Sequence, residues 1–403
     1  MNDSEKVNNY SKSLTIIRMI YEPVPGVGGS IRHTVDLYKH IDPYVKIQYL
    51  INPVQSDTEI DNSVDDCRIL RPYKKSLILT RYLLDFADIW LFAVKSTTYI
   101  KKMMMMIMNM NQPIIIHVHG LLLGLYMVFL KKITFSQIPI IIMVHGGYTK
   151  SDHNIGFSYR FENMLMRCIE PSAYVLLNDG SDIESMEKRI RRNTPYVVVN
   201  HAFDLSEFQK IEIGDAASAF RILFPHRLIE EKAPEIALAV VKKFISRIQH
   251  EMKIDKPDIE FVFLSPEGYR DEVAKLQLED YVVYAGFQTP KGMLYQYNKA
   301  NIVIGTSLSS NMGRGIQEAM TCETPVVTFS SGHMELLIED TVDGYLVRPG
   351  DVNGMADILF NLYKNQEGLA NTGRNARAKI IRERSWEKRV QIELGVYESL
   401  QEN

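Results

Sequence analysis

The sequence predicts an α/β protein built from two doubly wound parallel sheets, lying side by side and facing a cleft. Three observations carry that expectation. Strand-like runs of near-continuous Val, Ile and Leu recur along the chain, and helix-period segments alternate with them. At 403 residues the chain is also too long for one ordinary core.

The runs come in order. "LTIIRMIY" (14–21), "VKIQYLI" (45–51), "IIIHVHG" (114–120), "PIIIMVHG" (139–146), "AYVLLND" (173–179) and "PYVVVN" (195–200) form a first set. "RILFPHR" (221–227), "IEFVFLS" (259–265), "YVVYAGF" (281–287), "ANIVIGT" (300–306), "TPVVTFS" (324–330) and "GYLV" (344–347) form a second. Few alternate polar with apolar, and strands covered on both faces read this way. Helix-period segments such as "PEIALAVVKKFISRIQ" (234–249) and "RGIQEAMTC" (314–322) lie between them. The expected domains are 1–205 and 215–384, with a closing helix over 385–403 returning to the first. The stretch 201–218 is the linker candidate.

Composition narrows the class. Apolar residues make up 46% and charged residues 24%, a folded globular profile. Cys67, Cys168 and Cys322 lie far apart with no C-x-x-C spacing, which argues against a disulfide framework or a zinc site and favours a reducing, cytoplasmic setting. The polar start "MNDSEKVNNYSKS" does not read as a signal peptide. The longest apolar run, residues 113–132, is interrupted by two histidines and a glycine and reads as a strand followed by a buried helix. Residues 1–200 carry 23 Lys+Arg against 19 Asp+Glu, and residues 201–403 carry 23 against 30. From Cys67 to Lys150, eleven cations face only Asp85 and Asp88. Such a region suits a phosphorylated substrate, an anionic membrane surface or nucleic acid, or is a solvated face balanced elsewhere.

Doubly wound sheets place ligands outside the carboxyl ends of their strands, and four motifs sit there. "PVPGVGGS" follows the first strand, with Gly26, Gly28 and Gly29 in the turn before a helix. It permits close approach of an anion, or is a tight structural turn. His117, His119 and His145 end two adjacent strands, where they can bind a metal, donate to a substrate oxygen or serve structure. Arg227 and Lys232, five residues apart at a strand-to-helix turn, suit a pyrophosphate, or pair with Glu230 and Glu231. Glu318 stands one turn inside the helix that follows "SLSSNMGRG". There a carboxylate can hold a vicinal diol with two hydrogen bonds, or complement the helix dipole.

The order and spacing of these motifs resemble the GT-B glycosyltransferases of the retaining family-4 type. The stretches that carry the resemblance are "VVVNHAFDLSEF", "RLIEEKAPEIALAV", "YVVYAGFQTPKGMLYQYNKANIVIGTSLSS", "GRGIQEAMTCETPVVTFSSGHMELLIEDTVDGYLVRPGD" and the closing "SWEKRVQIELGVYESL". It runs from about residue 14 to 400 and implies two Rossmann-like domains. It implies that Arg227 and Lys232 hold the diphosphate of a nucleotide-sugar and Glu318 the ribose hydroxyls. His145 would face the donor sugar, and Gly28 and Gly29 the phosphates. The base would lie near Gly286, and Gly313, Arg314 and Gly315 would bring the helix start to the diphosphate. It implies no metal and no cofactor, the nucleotide-sugar being a substrate.

The departures are specific. Ser310 stands where the family has its first glutamate, the acid that meets the donor sugar. His226 replaces the glycine before the arginine, and Glu323 replaces a glycine after the helix. A non-glycine residue at that last position costs about 1 kcal/mol if its φ is positive.

The resulting expectation is a metal-independent retaining transferase that moves a sugar from a UDP- or GDP-type donor to a glycan or lipid-linked acceptor. The region 67–132 would make a peripheral contact with the inner membrane face. The alternative is a non-catalytic GT-B protein that binds nucleotide or glycan and supports a partner enzyme, motivated by Ser310 and the altered glycine loops. No reader motif for nucleic acid is present.

Overall fold

The computed structural model describes residues 14–20, 29–51, 69–70, 89–91, 93–94, 96–98, 113–134, 137–145, 164–178, 180, 183–203, 205–214, 219–308 and 312–401. The chain divides into two compact units. One comprises Met1–Asn178, Asp182–His201 and Trp386–Asn403; the other comprises Asp179–Ser181 and Ala202–Ser385.

The first unit holds a seven-stranded parallel sheet. Its strands are β1 (Thr15–Ile20), β2 (Ile47–Ile51), β3 (Ile69–Leu70), β4 (Ile114–His119), β5 (Ile140–Val144), β6 (Ala173–Asn178) and β7 (Tyr196–Asn200). They run in the order β3-β2-β1-β4-β5-β6-β7. β3, two residues long, is the one strand the apolar pattern does not announce. Helix α1 (Gly29–Ile41) links β1 to β2, and α2 (Leu121–Thr134) links β4 to β5. A short α3 (Ile183–Glu187) lies between β6 and β7.

Period-two alternation gives this sheet two different faces. Ile116 and Val118 of β4 and Ile142 and Val144 of β5 share one apolar core with Leu123, Leu125 and Met127 of α2. A Cβ added to Gly124 would stand 2.7 Å from the side chain of Ile142, so α2 sits close on the sheet. Arg18, His117 and His119 point the other way, and Arg18 pairs with His117 in register. That face meets helix α10 (Trp386–Ser399), whose Tyr397 hydroxyl receives a hydrogen bond from Arg18 at 3.0 Å. Among the described residues, no helix is long and apolar enough to cross a membrane.

The second unit repeats the plan with six parallel strands. They are β8 (Phe220–Phe224), β9 (Ile259–Phe263), β10 (Val282–Tyr284), β11 (Ile302–Gly305), β12 (Val326–Phe329) and β13 (Tyr345–Val347), in the order β10-β9-β8-β11-β12-β13. The order reverses between β8 and β11, which is where such a sheet opens its ligand crevice. The helices are α4 (Pro234–Met252), α5 (Arg270–Lys275), α6 (Pro290–Lys299), α7 (Arg314–Thr321), α8 (Val352–Lys364) and α9 (Glu367–Arg384).

α4 begins with proline at its first position, where no N–H is needed, and buries Leu238, Val241, Phe244, Ile245 and Ile248 on one face. Each such side chain removed from water contributes about 1.5–3 kcal/mol. The linker candidate is not a free linker. From Ala202 on it belongs to this unit, and Phe203 and Phe208 are buried in its core. Glu323 has φ +60°. Its carbonyl faces Gly373 of α9 so closely that an added Cβ would lie 2.0 Å from the oxygen.

Candidate functional site

In the second unit, the carboxyl ends of β8 and β11 bring polar groups together. β8 ends at Phe224 and delivers Pro225, His226 and Arg227; β11 ends at Gly305 and delivers Thr306 and Ser307. A narrow pocket, about 10 Å³ and so room for about one water, is lined by His226, Lys232, Gly305, Ser307, Gly313 and Ser331.

Lys232 closes a 3₁₀ turn, Glu230–Lys232, and the next residue, Ala233, adopts a left-handed conformation at φ 47°. For a residue with a Cβ that costs roughly 1–2 kcal/mol. Thr306, fully buried, offsets it by donating its hydroxyl to the carbonyls of Lys232 and Ala233 at 3.0 and 2.9 Å. Burial lowers the Lys232 pKa; Glu231 pulls it up and Arg227 pushes it down again. The result is a partly desolvated ammonium, the kind an anion stabilises. Arg227 is exposed, and among the described residues it makes no ion pair with Glu230 or Glu231. His226 is half-buried, packs edge-on against Phe224, and is pushed down to about 3 by burial and by Lys232, so it stays neutral.

Helix α7 begins beside them. Gly313 is its N-cap, and a Cβ there would stand 3.1 Å from His226 Cε1. A Cβ on Gly315 would stand 3.1 Å from the carbonyl oxygen of Pro225. Tight packing of α7 against the end of β8 is therefore reason enough for both glycines. Glu318, one turn in, is 6% exposed. Its Oε1 accepts from Arg314 Nε at 2.7 Å and its Oε2 from the Tyr297 hydroxyl at 2.9 Å. Arg314 turns back to Glu318 and lies over the Phe203 ring, 5.5 Å from its centroid. A carboxylate has about four acceptor positions, so both oxygens keep capacity for a diol. Gly286, at φ +73° with open space where a Cβ would be, follows β10. Its N–H donates to the Ser265 carbonyl at 3.2 Å.

The first unit places its histidines on the Arg18 face. His119 ends β4 and His145 follows β5, with His119 Nδ1 and His145 Nε2 3.0 Å apart. His33 of α1 stands edge-on to His145, ring centroids 5.7 Å apart. Burial lowers His117 to about 3, His119 well below its ordinary range, and His145 to about 4. Behind them, Arg18 donates to Gln48 at 2.9 Å and to His117 Nδ1 at 3.0 Å. Tyr397 donates to Glu393, which Arg389 pairs at 2.6 Å. Burial alone would raise the Glu393 pKa, but Arg389, His117 and Arg18 outweigh it and hold it at about 2. Among the described residues no group of His, Cys, Asp or Glu is arranged to hold a metal ion.

Gly29 opens α1, while Gly28 and Ser310 lie outside the described residues, as do Gly26, residues 101–110 and most of 67–112. Sequence reasoning missed Thr306, Tyr297 and Thr34. Each acts through a hydrogen bond to a residue 21 or more positions away, and no local pattern signals such a partner.

Comparison with known proteins follows the same geography. The sequence pattern of the family described as glycosyl transferases group 1 matches residues 207–379, within the second unit. A poly(ribitol-phosphate) alpha-N-acetylglucosaminyltransferase from Staphylococcus aureus is 27% identical over 210 residues, 50% of this chain and 40% of that protein. An N-acetyl-alpha-D-glucosaminyl L-malate synthase from Bacillus anthracis is 23% identical over 296 residues, 72% of this chain and 76% of that one. The chain thus spans well under half of the first relative's length and about three quarters of the second's. Among solved structures, HepE from Anabaena in complex with UDP and glucose aligns with a TM-score of 0.73 at 16% identity, over 96% of this chain and 99% of HepE. Sucrose-phosphate synthase from Thermosynechococcus elongatus aligns with a TM-score of 0.72 at 16% identity, over 96% of this chain and 99% of that one. Identities this low speak for the fold. With the two parallel sheets they give this chain the GT-B fold, and residues 207–379 of its second unit carry the group 1 glycosyl transferase pattern.

Proposed function

We propose that the protein is a retaining glycosyltransferase that takes a sugar from a UDP-type nucleotide-sugar and passes it to a glycan acceptor. One observation carries the reading. Thr306 fixes the backbone that carries a partly desolvated Lys232 at the switch point of the second sheet, with Arg227 on the strand end beside it. A leaving diphosphate gains negative charge as the glycosidic bond breaks, and two cations at one strand end stabilise that charge. Glu318 takes the ribose diol on its remaining acceptor positions, and the base lies beside Gly286. His145 is assigned to the donor sugar. UDP is preferred over GDP as the leaving group because the HepE structure holds UDP. Retention is supported by the relatives, whose printed names specify alpha-linked N-acetylglucosamine. Transfer proceeds without a metal or cofactor.

A peripheral membrane contact belongs to the same proposal. Trp90, Leu91 and Phe129 are exposed, with the Trp90 and Phe129 rings 6.0 Å apart, and Lys131 and Lys132 end α2 next to Phe129. Aromatic side chains beside lysines suit an anionic lipid surface and a lipid-linked acceptor at the inner face.

The test is release of nucleoside diphosphate from a panel of UDP- and GDP-sugars, with and without acceptor glycans. Turnover of a UDP-sugar that falls at least about tenfold in both Lys232→Ala and Glu318→Gln supports the reading. No turnover of any donor by the folded protein returns the non-catalytic alternative.

A further inference from the structure

We propose that His119 is a positioning residue for His145. It presents a ring N–H to His145 Nε2 and so holds the His145 proton on Nδ1, making His145 a hydrogen-bond donor. The functional meaning of this rests on the assignment of His145 to the donor sugar.

The geometry is built from adjacent strands. His119 pairs in register with Met143, and the N–H of Gly120 donates to the Met143 carbonyl at 2.8 Å, so the two strand ends are locked where the histidines emerge. The rings of His119 and His145 stack at 25° with centroids 5.2 Å apart. His119 Nδ1 then meets two groups at 3.0 Å, Thr34 Oγ1 and His145 Nε2. One hydrogen must lie on the line between the two ring nitrogens, and the question is which ring owns it.

The far side of His119 answers. Its Nε2 is buried, with no hydrogen-bond partner. If that nitrogen carried the proton, a donor would be stranded in the interior, and stranded N–H groups are the rarer and costlier kind. With the proton on Nδ1 instead, His119 donates toward His145 Nε2 and toward the Thr34 oxygen, and its Nε2 is a bare acceptor. His117, two residues earlier, is held the opposite way although its Nε2 is also buried without a hydrogen-bond partner, because Arg18 can only donate and so takes its Nδ1 as acceptor; the groups at His119 Nδ1, a hydroxyl and a ring nitrogen, can both accept and impose no such choice. Burial keeps His119 and His145 neutral near neutral pH, so each has a defined tautomer. With Nε2 of His145 occupied, only its Nδ1–H is left to meet a ligand oxygen. The His33 ring, edge-on at 76°, opposes rotation away.

Long-range ¹H–¹⁵N correlation spectra of the full chain labelled at histidine read the tautomer directly, with His145→Gln identifying the His145 signals. The expected result is an Nδ1–H His145 that changes to Nε2–H or to a tautomer mixture in His119→Phe. It is restored in His119→Asn, whose amide N–H can occupy the place of Nδ1. Steady-state kinetics then follow: His119→Phe lowers kcat roughly tenfold or more with KM for the donor little changed, and His119→Asn recovers most of it. An Nε2–H His145 in the parent protein overturns the proposal, as does a tautomer indifferent to His119. If the spectra come out as expected but His145→Gln transfers sugar normally, the tautomer assignment stands and the role given to His145 falls. Should His119→Phe not fold, Thr34→Val, which removes the other group at His119 Nδ1, is read in the same spectra. An unshifted His119 Nδ1 resonance there counts against the arrangement.

Discussion

Thr306, the residue that follows β11, donates its hydroxyl to the backbone carbonyl of Lys232 at 3.0 Å, across 74 positions of sequence. The bond ties a loop with a left-handed residue to the rigid end of a central strand. It fixes the backbone from which the Lys232 side chain extends. Thr306→Val keeps the shape but removes the hydroxyl that the two carbonyls share, at a cost of about 0.5–1.5 kcal/mol, while the Ala233 carbonyl still accepts from the Ile236 and Ala237 N–H groups. We expect a lower urea midpoint for the second unit and weaker nucleoside diphosphate binding. Unchanged binding in a folded Thr306→Val protein would show that the loop is positioned by other contacts.

Tyr297 and Glu318 form the second such relationship, a buried hydroxyl on a buried carboxylate at 2.9 Å. Tyr297→Phe removes a hydrogen bond to a charged acceptor, about 1.5–3 kcal/mol of stability. It also leaves Oε2 with one more open position, so KM for a nucleotide-sugar should change more than kcat. A variant with native stability and native KM would mean the pair is incidental.

Two glycines of α9 give opposite expectations. Gly373→Ala places a methyl 2.0 Å from the Glu323 carbonyl and should destabilise by about 1–3 kcal/mol or more. Gly368, with nothing within 4 Å of its added Cβ, should tolerate alanine or gain about 0.5–1 kcal/mol of helix stability. Chemical denaturation of the two variants side by side checks the packing of α9 on the strained Glu323 turn.

The pH dependence has a definite sign. His117 and His226 are lowered to about 3 and His145 to about 4, from an ordinary value of 6.5. The unfolded chain therefore binds protons first. Stability is full above about pH 6.5 and is lost as pH falls toward 4 and 3, by up to about 1.4 kcal/mol per pH unit for each histidine. Glu393, held at about 2, adds a loss of the same sign at lower pH. Melting temperature should fall steadily below pH 6.5, well before the carboxylate range, and the slope should be shallower in His117→Gln. A melting temperature flat from pH 7 to 5 would contradict the burial of these rings.

Much of this was legible in the sequence for one physical reason. Strands covered on both faces must be apolar throughout, so β1, β4, β5, β8 and β11 announce themselves, and parallel order follows from the alternating helices. The positions of Arg227 and Lys232 after β8 and of Glu318 inside α7 were legible, because the apolar runs mark where each strand ends and each helix begins. The positive φ of Glu323 was foreseeable from a glycine replaced. β3 was not legible, since two residues carry no period. Nor were the partners of the functional groups: Thr306 for Lys232, Tyr297 for Glu318, Thr34 for His119. Each bond joins residues that only the tertiary fold brings together. Gly313 and Gly315 read as room for a phosphate, yet His226 and Pro225 already fill the space in front of them.

The proposed activity requires that a nucleoside diphosphate bind at the surface formed by the carboxyl ends of β8 and β11, against Arg227 and Lys232. Calorimetric titration of UDP into the full-length protein tests this most directly, repeated with Lys232→Ala. The account predicts saturable one-to-one binding in the parent protein and a loss of about 1.5–3 kcal/mol in the variant, the worth of a hydrogen bond to a charged group. UDP binding of equal affinity in both proteins would contradict it.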